Sequence, residues 1–176
     1  MHLKKLPAYT YVEDFNANLV NNIAKNVSII YRNYKETNID DILKIRNLCK
    51  KKRRKFYLSN NLRLAMKLNL DGVYIPSFNK SLSIKYIKHN KKFELMGSAH
   101  SFKEIKIKEK QNISKIFISP LFKTSKSRNF LGIYRFINLK NKTKKRVICL
   151  GGLNKKNFKK INLIKPHGYA SISLFQ

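Results

Sequence analysis

The sequence predicts an α/β protein: a single-domain (β/α)8 TIM barrel covering residues 1–176, short for its class and with the eighth helix missing or truncated. Three observations predict it. Short apolar or β-branched runs alternate with longer amphipathic stretches, the pattern of βα units wound around a parallel sheet. The runs number eight, which closes a barrel where fewer would leave an open sheet. No Gly-rich dinucleotide turn follows the first run, as an open nucleotide-binding sheet would show.

The first strand is expected at Ala8–Val12, followed by a helix with Phe15, Leu19 and Ile23 at i, i+4 and i+8. The second, Val27–Tyr31, leads to a helix over Ile39–Cys49 with Asn38 as N-cap and Ile39, Ile42, Ile45 and Cys49 in an apolar pattern. Lys55–Leu58 is the third strand, and the helix over Asn61–Leu68 puts Leu64, Ala65 and Leu68 on one side. Gly72–Ile75 and Phe93–Met96 are strands four and five; between them Leu82–Ile87 alternates like a strand, although the order of units requires a helix there. Phe102–Lys110 is helical, Lys115–Ser119 is strand six, and Gly132–Leu139 is the helix after it. Arg146–Leu150 and Gly168–Ile172 complete the strands, separated by a helix over Asn154–Ile164 with Phe158, Ile161 and Ile164 three apart. The chain reaches Gln176 before a full eighth helix fits, and 176 residues is compact beside the roughly 250 typical of the fold. No repeat, Pro/Gly-rich linker or composition break marks a second domain.

Charge is the compositional anomaly, with 39 Lys+Arg against 9 Asp+Glu and a formal net charge of +30. Such a balance attracts polyanions, so nucleic acid is a possible partner but not the favoured one. The cations run from Lys4 to Lys165 in company with abundant Asn and Ile, a chain-wide drift rather than a concentrated stripe. The one dense run, Lys50-Lys51-Lys52-Arg53-Arg54-Lys55, reads first as a solvated helix end complementing the dipole, with a polyanion site as the alternative. Cys49 and Cys149 have no C-x-x-C spacing and read as reduced core thiols. No stretch has the length of a membrane span and no apolar segment follows the charged amino terminus, so a cytoplasmic protein is expected.

In such a barrel the chemistry sits where strands end. Four ends carry informative residues. Cys149-Leu150-Gly151-Gly152-Leu153-Asn154 runs a strand into two glycines and the start of a helix, an arrangement in which backbone N–H groups hold an anion. With the final strand end, Ala170-Ser171-Ile172-Ser173, it makes the usual phosphate site of the fold; a simple left-handed turn is the alternative for the glycines. Met96-Gly97-Ser98-Ala99-His100-Ser101 brings His100 to the rim with Glu104 in the next helix turn. Histidine takes and returns a proton near neutral pH, although a histidine that merely packs or caps a turn fits the pattern too. Ser119-Pro120-Leu121-Phe122-Lys123-Thr124-Ser125-Lys126 begins a long polar loop able to close over an anion, and Arg32 puts a fixed cation after strand two.

Taken in order, Tyr31-Arg32, Asp71-Gly72-Val73-Tyr74-Ile75, Gly97-Ser98-Ala99-His100-Ser101, Ser119 to Thr124, Leu150-Gly151-Gly152-Leu153 and Gly168 to Ser173 resemble the thiamine phosphate synthase/TenI family over nearly the whole chain. The resemblance implies a thiazole phosphate as small-molecule ligand, its phosphate on Gly151, Gly152, Ile172 and Ser173, with Arg32, Asn60, Asn79, Ser98, Thr124 and Lys126 as substrate-binding residues. The family's synthases are transferases that join a pyrimidine pyrophosphate to the thiazole phosphate, release pyrophosphate and need magnesium held by carboxylates. Both carboxylate positions are amides here, within Ser59-Asn60-Asn61 and Pro76-Ser77-Phe78-Asn79, and the Gln and Lys usual beside the strand-two arginine are replaced by Ile30 and Tyr34.

The TenI branch isomerises a thiazole carboxylate phosphate by proton transfer without a metal, and its histidine corresponds to His100. The expectation is therefore a metal-independent thiazole tautomerase in thiamine biosynthesis, with His100 catalytic, no metal site and no cofactor. A thiamine phosphate synthase using magnesium is the alternative, and a non-catalytic ligand-binding or basic nucleic-acid-binding barrel is a third reading. Oligomeric state is left open.

Overall fold

The computed structural model describes residues 6–125 and 129–175. Eight parallel strands close into a barrel in sequence order: β1 Ala8–Val12, β2 Val27–Tyr31, β3 Phe56–Ser59, β4 Gly72–Ile75, β5 Glu94–Ala99, β6 Lys115–Ile118, β7 Arg146–Leu150 and β8 Gly168–Ala170. Closure is made by β8 on β1, with Ala8 opposite Tyr169 and Tyr9 opposite Ala170. Because every strand runs the same way, every strand's carboxyl end opens onto one rim.

Alternation along the strands sorts two cores. Tyr9, Tyr11, Ile30, Tyr57, Tyr74, Met96, Phe117, Ile148 and Ala170 fill the barrel interior. The rings pack edge to face, Tyr9 on Phe117 at 5.1 Å, Tyr74 on Phe117 at 5.2 Å and Tyr11 on Tyr74 at 5.6 Å, the geometry that aromatic quadrupoles prefer. Ala170 on β8 is the small partner that leaves room for so many rings. Outward-facing residues such as Val12, Ile29, Val73, Ile116 and Val147 pack under the helices. The amino end of the barrel is plugged by Glu94, which accepts from both Lys55 and Lys115, while Lys115 also donates to the Tyr9 hydroxyl at 3.2 Å.

Five α-helices surround the barrel among the described residues: α1 Ala17–Asn22, α2 Ile39–Lys51, α3 Leu62–Lys67, α4 Phe102–Lys110 and α5 Gly132–Asn141. The first four begin at side-chain caps, Asn16, Asn38, Asn61 and Ser101, each accepting an N–H of the first turn. Phe15 stands ahead of α1 and Ile23 ends it, so that expected helix is shorter than its apolar spacing suggests. Leu82–Tyr86, with its strand-like alternation, is a 3-10 helix in which only Ile84 is buried.

Two further expectations are corrected. The helix expected over Asn154–Ile164 is an Asx turn at Asn154 followed by a 3-10 helix, Phe158–Leu163; a spacing of three residues suits three residues per turn as well as it suits an α-helix. Strand eight ends at Ala170, so Ile172 and Ser173 belong to the turn that follows, where an eighth helix would begin.

The dense basic run is only in part a solvated helix end. Lys50 and Lys51 complement the last turn of α2. Arg54 is buried at 5% exposure, donating to the carbonyls of Val20 (2.8 Å) and Ile23, and Lys52 donates to Asn21 O at 2.7 Å. These contacts hold the end of α1 against the barrel. Cys49 and Cys149 are free and buried, and no helix of the described residues is long and apolar enough to cross a membrane.

Candidate functional site

The carboxyl rim collects the residues singled out in the sequence, one strand end after another: Arg32 after β2, Asn60 after β3, Asn79 in the loop after β4, His100 after β5, Thr124 in the loop after β6, Gly151 and Gly152 after β7, and Ile172 and Ser173 after β8. Ser98 lies within β5 and is buried at 5%. Its strand runs to Ala99, past the expected end at Met96. Lys126 lies outside the described residues.

The Gly-Gly turn and the end of β8 are fastened together. Ser171 Oγ donates to Leu153 O at 2.9 Å and Ser173 Oγ donates to the same oxygen at 3.0 Å. Both glycines have positive φ, +94° at Gly151 and +69° at Gly152. A Cβ on Gly151 would stand 2.8 Å from Pro120 Cα, and one on Gly152 would collide with the carbonyls of Phe122 and Lys123. The glycines are thus required for the close approach of the β6 loop, whose Leu121 and Phe122 N–H groups donate to Leu150 O (2.9 Å) and Gly151 O (3.0 Å). Among the described residues no protein acceptor meets the N–H groups of Gly151, Gly152, Ile172 or Ser173. Unmet backbone N–H groups on two adjoining turns suit an anion. The expected α-helix amino terminus is absent from this site, so its attraction for an anion rests on those N–H groups.

His100 is exposed at the rim and held by its Nδ1, 2.8 Å from Ser119 O and 3.2 Å from Ser119 Oγ. A carbonyl oxygen only accepts, so Nδ1 carries a proton, which in the neutral ring puts the lone pair on Nε2. The backbone N–H of His100 donates to Glu104 Oε2 at 2.6 Å, and Ser101 Oγ caps α4 by accepting from Glu104 N at 3.3 Å. The imidazole is therefore oriented, with its basic nitrogen available.

Arg32 is committed to neighbours. Its guanidinium sits 4.3 Å from the centre of the Tyr11 ring, and Nη2 lies 3.5 Å from Glu13 Oε1. A cleft of about 500 Å³ lies beside it, lined by Tyr11, Glu13, Asp14, Phe15 and Ile172 among others. Tyr34 and Phe78, both exposed, meet edge to face at 5.3 Å above β2 and β4, and the Tyr34 hydroxyl accepts from Ser59 Oγ at 3.1 Å. Beneath them burial raises both the Tyr11 and the Tyr74 phenols, and Tyr11, which also feels the field of Tyr74, is driven well above the usual tyrosine value. They are neutral at any physiological pH.

Asn60 and Asn79 are brought together, Asn79 Nδ2 donating to Asn60 Oδ1 at 2.7 Å. Asn79 Oδ1 in turn accepts from Ser81 N at 3.1 Å. Both side-chain oxygens are neutral and each already accepts a hydrogen bond, Asn60 Oδ1 from the Asn79 amide and Asn79 Oδ1 from Ser81 N, and among the described residues no group of three His, Cys, Asp or Glu side chains could hold a metal ion. This donor set does not fit a magnesium ion held by the protein, since magnesium is drawn in by one or two carboxylates together with substrate phosphate. The sequence set Glu104 in the helix turn after His100 without assigning it the His100 N–H, and it did not single out Lys108 and Gln111 behind Asn79.

Comparison with known proteins places this geometry. A family model described as thiamine monophosphate synthase matches residues 11–175. A protein of Aquifex aeolicus named "Putative thiamine-phosphate synthase 2" is 29% identical over 187 aligned positions, covering 99% of this chain and 99% of its own. A thiamine-phosphate synthase of Prochlorococcus marinus is 30% identical over 77% of this chain, the match taking in 41% of that protein's length. Among solved structures, thiamine phosphate pyrophosphorylase from Pyrococcus furiosus superposes with a TM-score of 0.74 at 18% identity, over 96% of this chain and 86% of that one. At that identity the superposition establishes the barrel and leaves the chemistry to the site.

Proposed function

The chain belongs to the thiamine monophosphate synthase family, and from that premise we propose that it binds a thiazole phosphate at the β7–β8 rim and joins it to a pyrimidine pyrophosphate, releasing pyrophosphate. The observation that carries the binding half is the double fastening of Leu153 O by Ser171 and Ser173, which sets the unmet N–H groups of Gly151, Gly152, Ile172 and Ser173 on adjoining turns. The names of the sequence relatives support the coupling half.

In this reading the phosphate lies on those N–H groups and the thiazole ring reaches toward the barrel axis. Arg32, Ser98 and Thr124 meet the polar parts of the two substrates. Magnesium is the family's cation for the departing pyrophosphate. The residues present do not fit a protein-held ion.

A second reading, the metal-independent tautomerase, is favoured by the amide pair Asn60–Asn79 in place of acids and by the oriented Nε2 of His100. There His100 removes and returns the ring proton, and the enzyme needs no cofactor. One set of assays separates the two. Coupling predicts pyrophosphate release only when both substrates are present with magnesium. No release at high magnesium, together with tautomer conversion that survives chelator and disappears in His100→Ala, would transfer the assignment to the tautomerase. Inactivity in both assays, with binding of nucleic acid that weakens steeply with salt, would leave a non-catalytic basic barrel.

A further inference from the structure

Lys108 is the one lysine among the described residues with no solvent exposure, and neither reaction reading uses it. It leaves the inner side of α4, and its stem runs against Gly97 of β5, where a Cβ would stand 3.2 Å from Lys108 Cδ. The ammonium then donates to three oxygens: Pro76 O at 2.8 Å, Asn79 O at 2.8 Å and Gln111 Oε1 at 3.0 Å. Gln111, also buried, turns its amide the same way and donates to Asn79 O at 3.0 Å and Ser81 O at 2.9 Å. Two side chains from the α4 end thus grip the Pro76–Ser81 loop by three of its carbonyls, at 76, 79 and 81.

We infer that Lys108 and Gln111 are positioning residues that fix the loop after β4 and thereby set the Asn79 amide against Asn60 at the rim. Burying an ammonium among neutral dipoles costs desolvation energy, and an apolar side chain would fill the same path without that cost. What the ammonium supplies in return is a fixed place for three oxygens. Gly97 is part of the device, because any larger residue on β5 meets the lysine stem and the Ile75 carbonyl, which a Cβ would approach to 2.7 Å.

The grip depends on protonation. Burial pushes Lys108 down to about 8, opposed by Glu104 on its own helix. From the β4 loop it faces carbonyls, from β5 a glycine, and from beyond α4 the Gln111 amide. An ammonium has three N–H donors for three acceptors, whereas the neutral amine has two and turns a lone pair on the third oxygen. Above about pH 8 one contact of the grip therefore opens.

The consequence for turnover rests on the coupling reaction proposed above; the grip itself does not, and the test separates them. In the full chain, Lys108→Met and Gln111→Leu are expected to remain folded and to exchange the Asn79 and Ser81 amide protons ~10-fold faster. The KM for the pyrimidine pyrophosphate is expected to rise ~10-fold while that for thiazole phosphate stays within about twofold. In the unmodified protein the side-chain amide resonance of Asn79 is expected to titrate with a midpoint near pH 8, and Lys108→Arg, which keeps the charge, to abolish that titration while partly restoring protection. Should Lys108→Met fail to fold, Gln111→Leu and the titration carry the test. Unchanged exchange in Gln111→Leu with no titration of Asn79 near pH 8 would overturn the inference. A loosened loop in a protein without coupling activity would uphold the grip and remove the proposed reaction.

Discussion

The Ser173 hydroxyl donates to the carbonyl oxygen of Leu153 at 3.0 Å, tying the turn after β8 to the residue that follows the Gly151-Gly152 turn. Ser171 makes a second bond to the same oxygen at 2.9 Å. The phosphate reading depends on this fastening, and the two serines contribute to it unequally, since Ser171 is buried and Ser173 exposed.

Ser173→Ala removes one of the two bonds and leaves the other. The expected loss in thiazole phosphate affinity is about 1 kcal/mol, roughly fivefold, with little change in melting temperature. Calorimetric titration checks it. A melting temperature lowered without any change in affinity would make Ser173 purely structural.

Asn60→Asp keeps an acceptor for the Asn79 amide and makes that bond charge-assisted. Position 60 is exposed, with φ +60°, a conformation Asp tolerates as Asn does. Stability is expected to change by less than about 0.5 kcal/mol, while magnesium binds ~10-fold more tightly in the presence of pyrophosphate. Titration of the metal into both proteins would read the difference, and equal affinities would mean that position 60 does not face the metal.

Glu94 contributes to the acid limb of stability. Burial raises its carboxyl, but the hydrogen bonds and charges of Lys115 and Lys55 outweigh that and hold it below the usual carboxylate range. A depressed folded-state value stabilises the fold above the unfolded-state value, about 4.3, and the benefit is lost as pH falls through the folded value. Denaturant unfolding from pH 7 down to pH 3 should therefore show a drop that Glu94→Gln flattens. The same variant is expected to cost roughly 1.5–3 kcal/mol at pH 7, because Lys115, only 14% exposed, loses its carboxylate. Parallel pH profiles for the two proteins would remove the plug from the account.

The two thiols should be inert in the folded protein. Burial pushes Cys49 up to about 11 and Cys149 higher still. At pH 8 an alkylating reagent is expected to leave both unlabelled until denaturant is added, after which both react. Rapid labelling of the native protein would show that α2 or β7 opens.

Much of this barrel was legible in the sequence, for identifiable reasons. β-Branched runs such as Val27–Tyr31 and Arg146–Leu150 are bounded by polar turns, and each proves to be a strand with the expected limits. What misled was spacing that suits two structures, as at Phe158, Ile161 and Ile164, where a 3-10 helix replaces the expected α-helix and removes its amino terminus from the Gly-Gly turn. Positions such as Arg32, Asn60, His100 and Gly151 were legible because each lies just past a strand, whereas Ser98 falls within β5 and Asn79 and Thr124 in the loops beyond β4 and β6. Lys108 was not, although a signal existed: it follows Ile105 by three and shares the buried side of α4, where a lysine is out of place. The pairing of Asn60 with Asn79 depends on β3 and β4 being neighbours in register, which no single segment encodes.

A single phosphoryl group is expected to sit on both the Gly-Gly turn and the turn after β8. Backbone amide shifts recorded during a titration with thiazole phosphate test this most directly. The largest changes are predicted at Gly151, Gly152, Ile172 and Ser173; changes confined to the Lys50–Lys55 segment, with those four amides still, would contradict it.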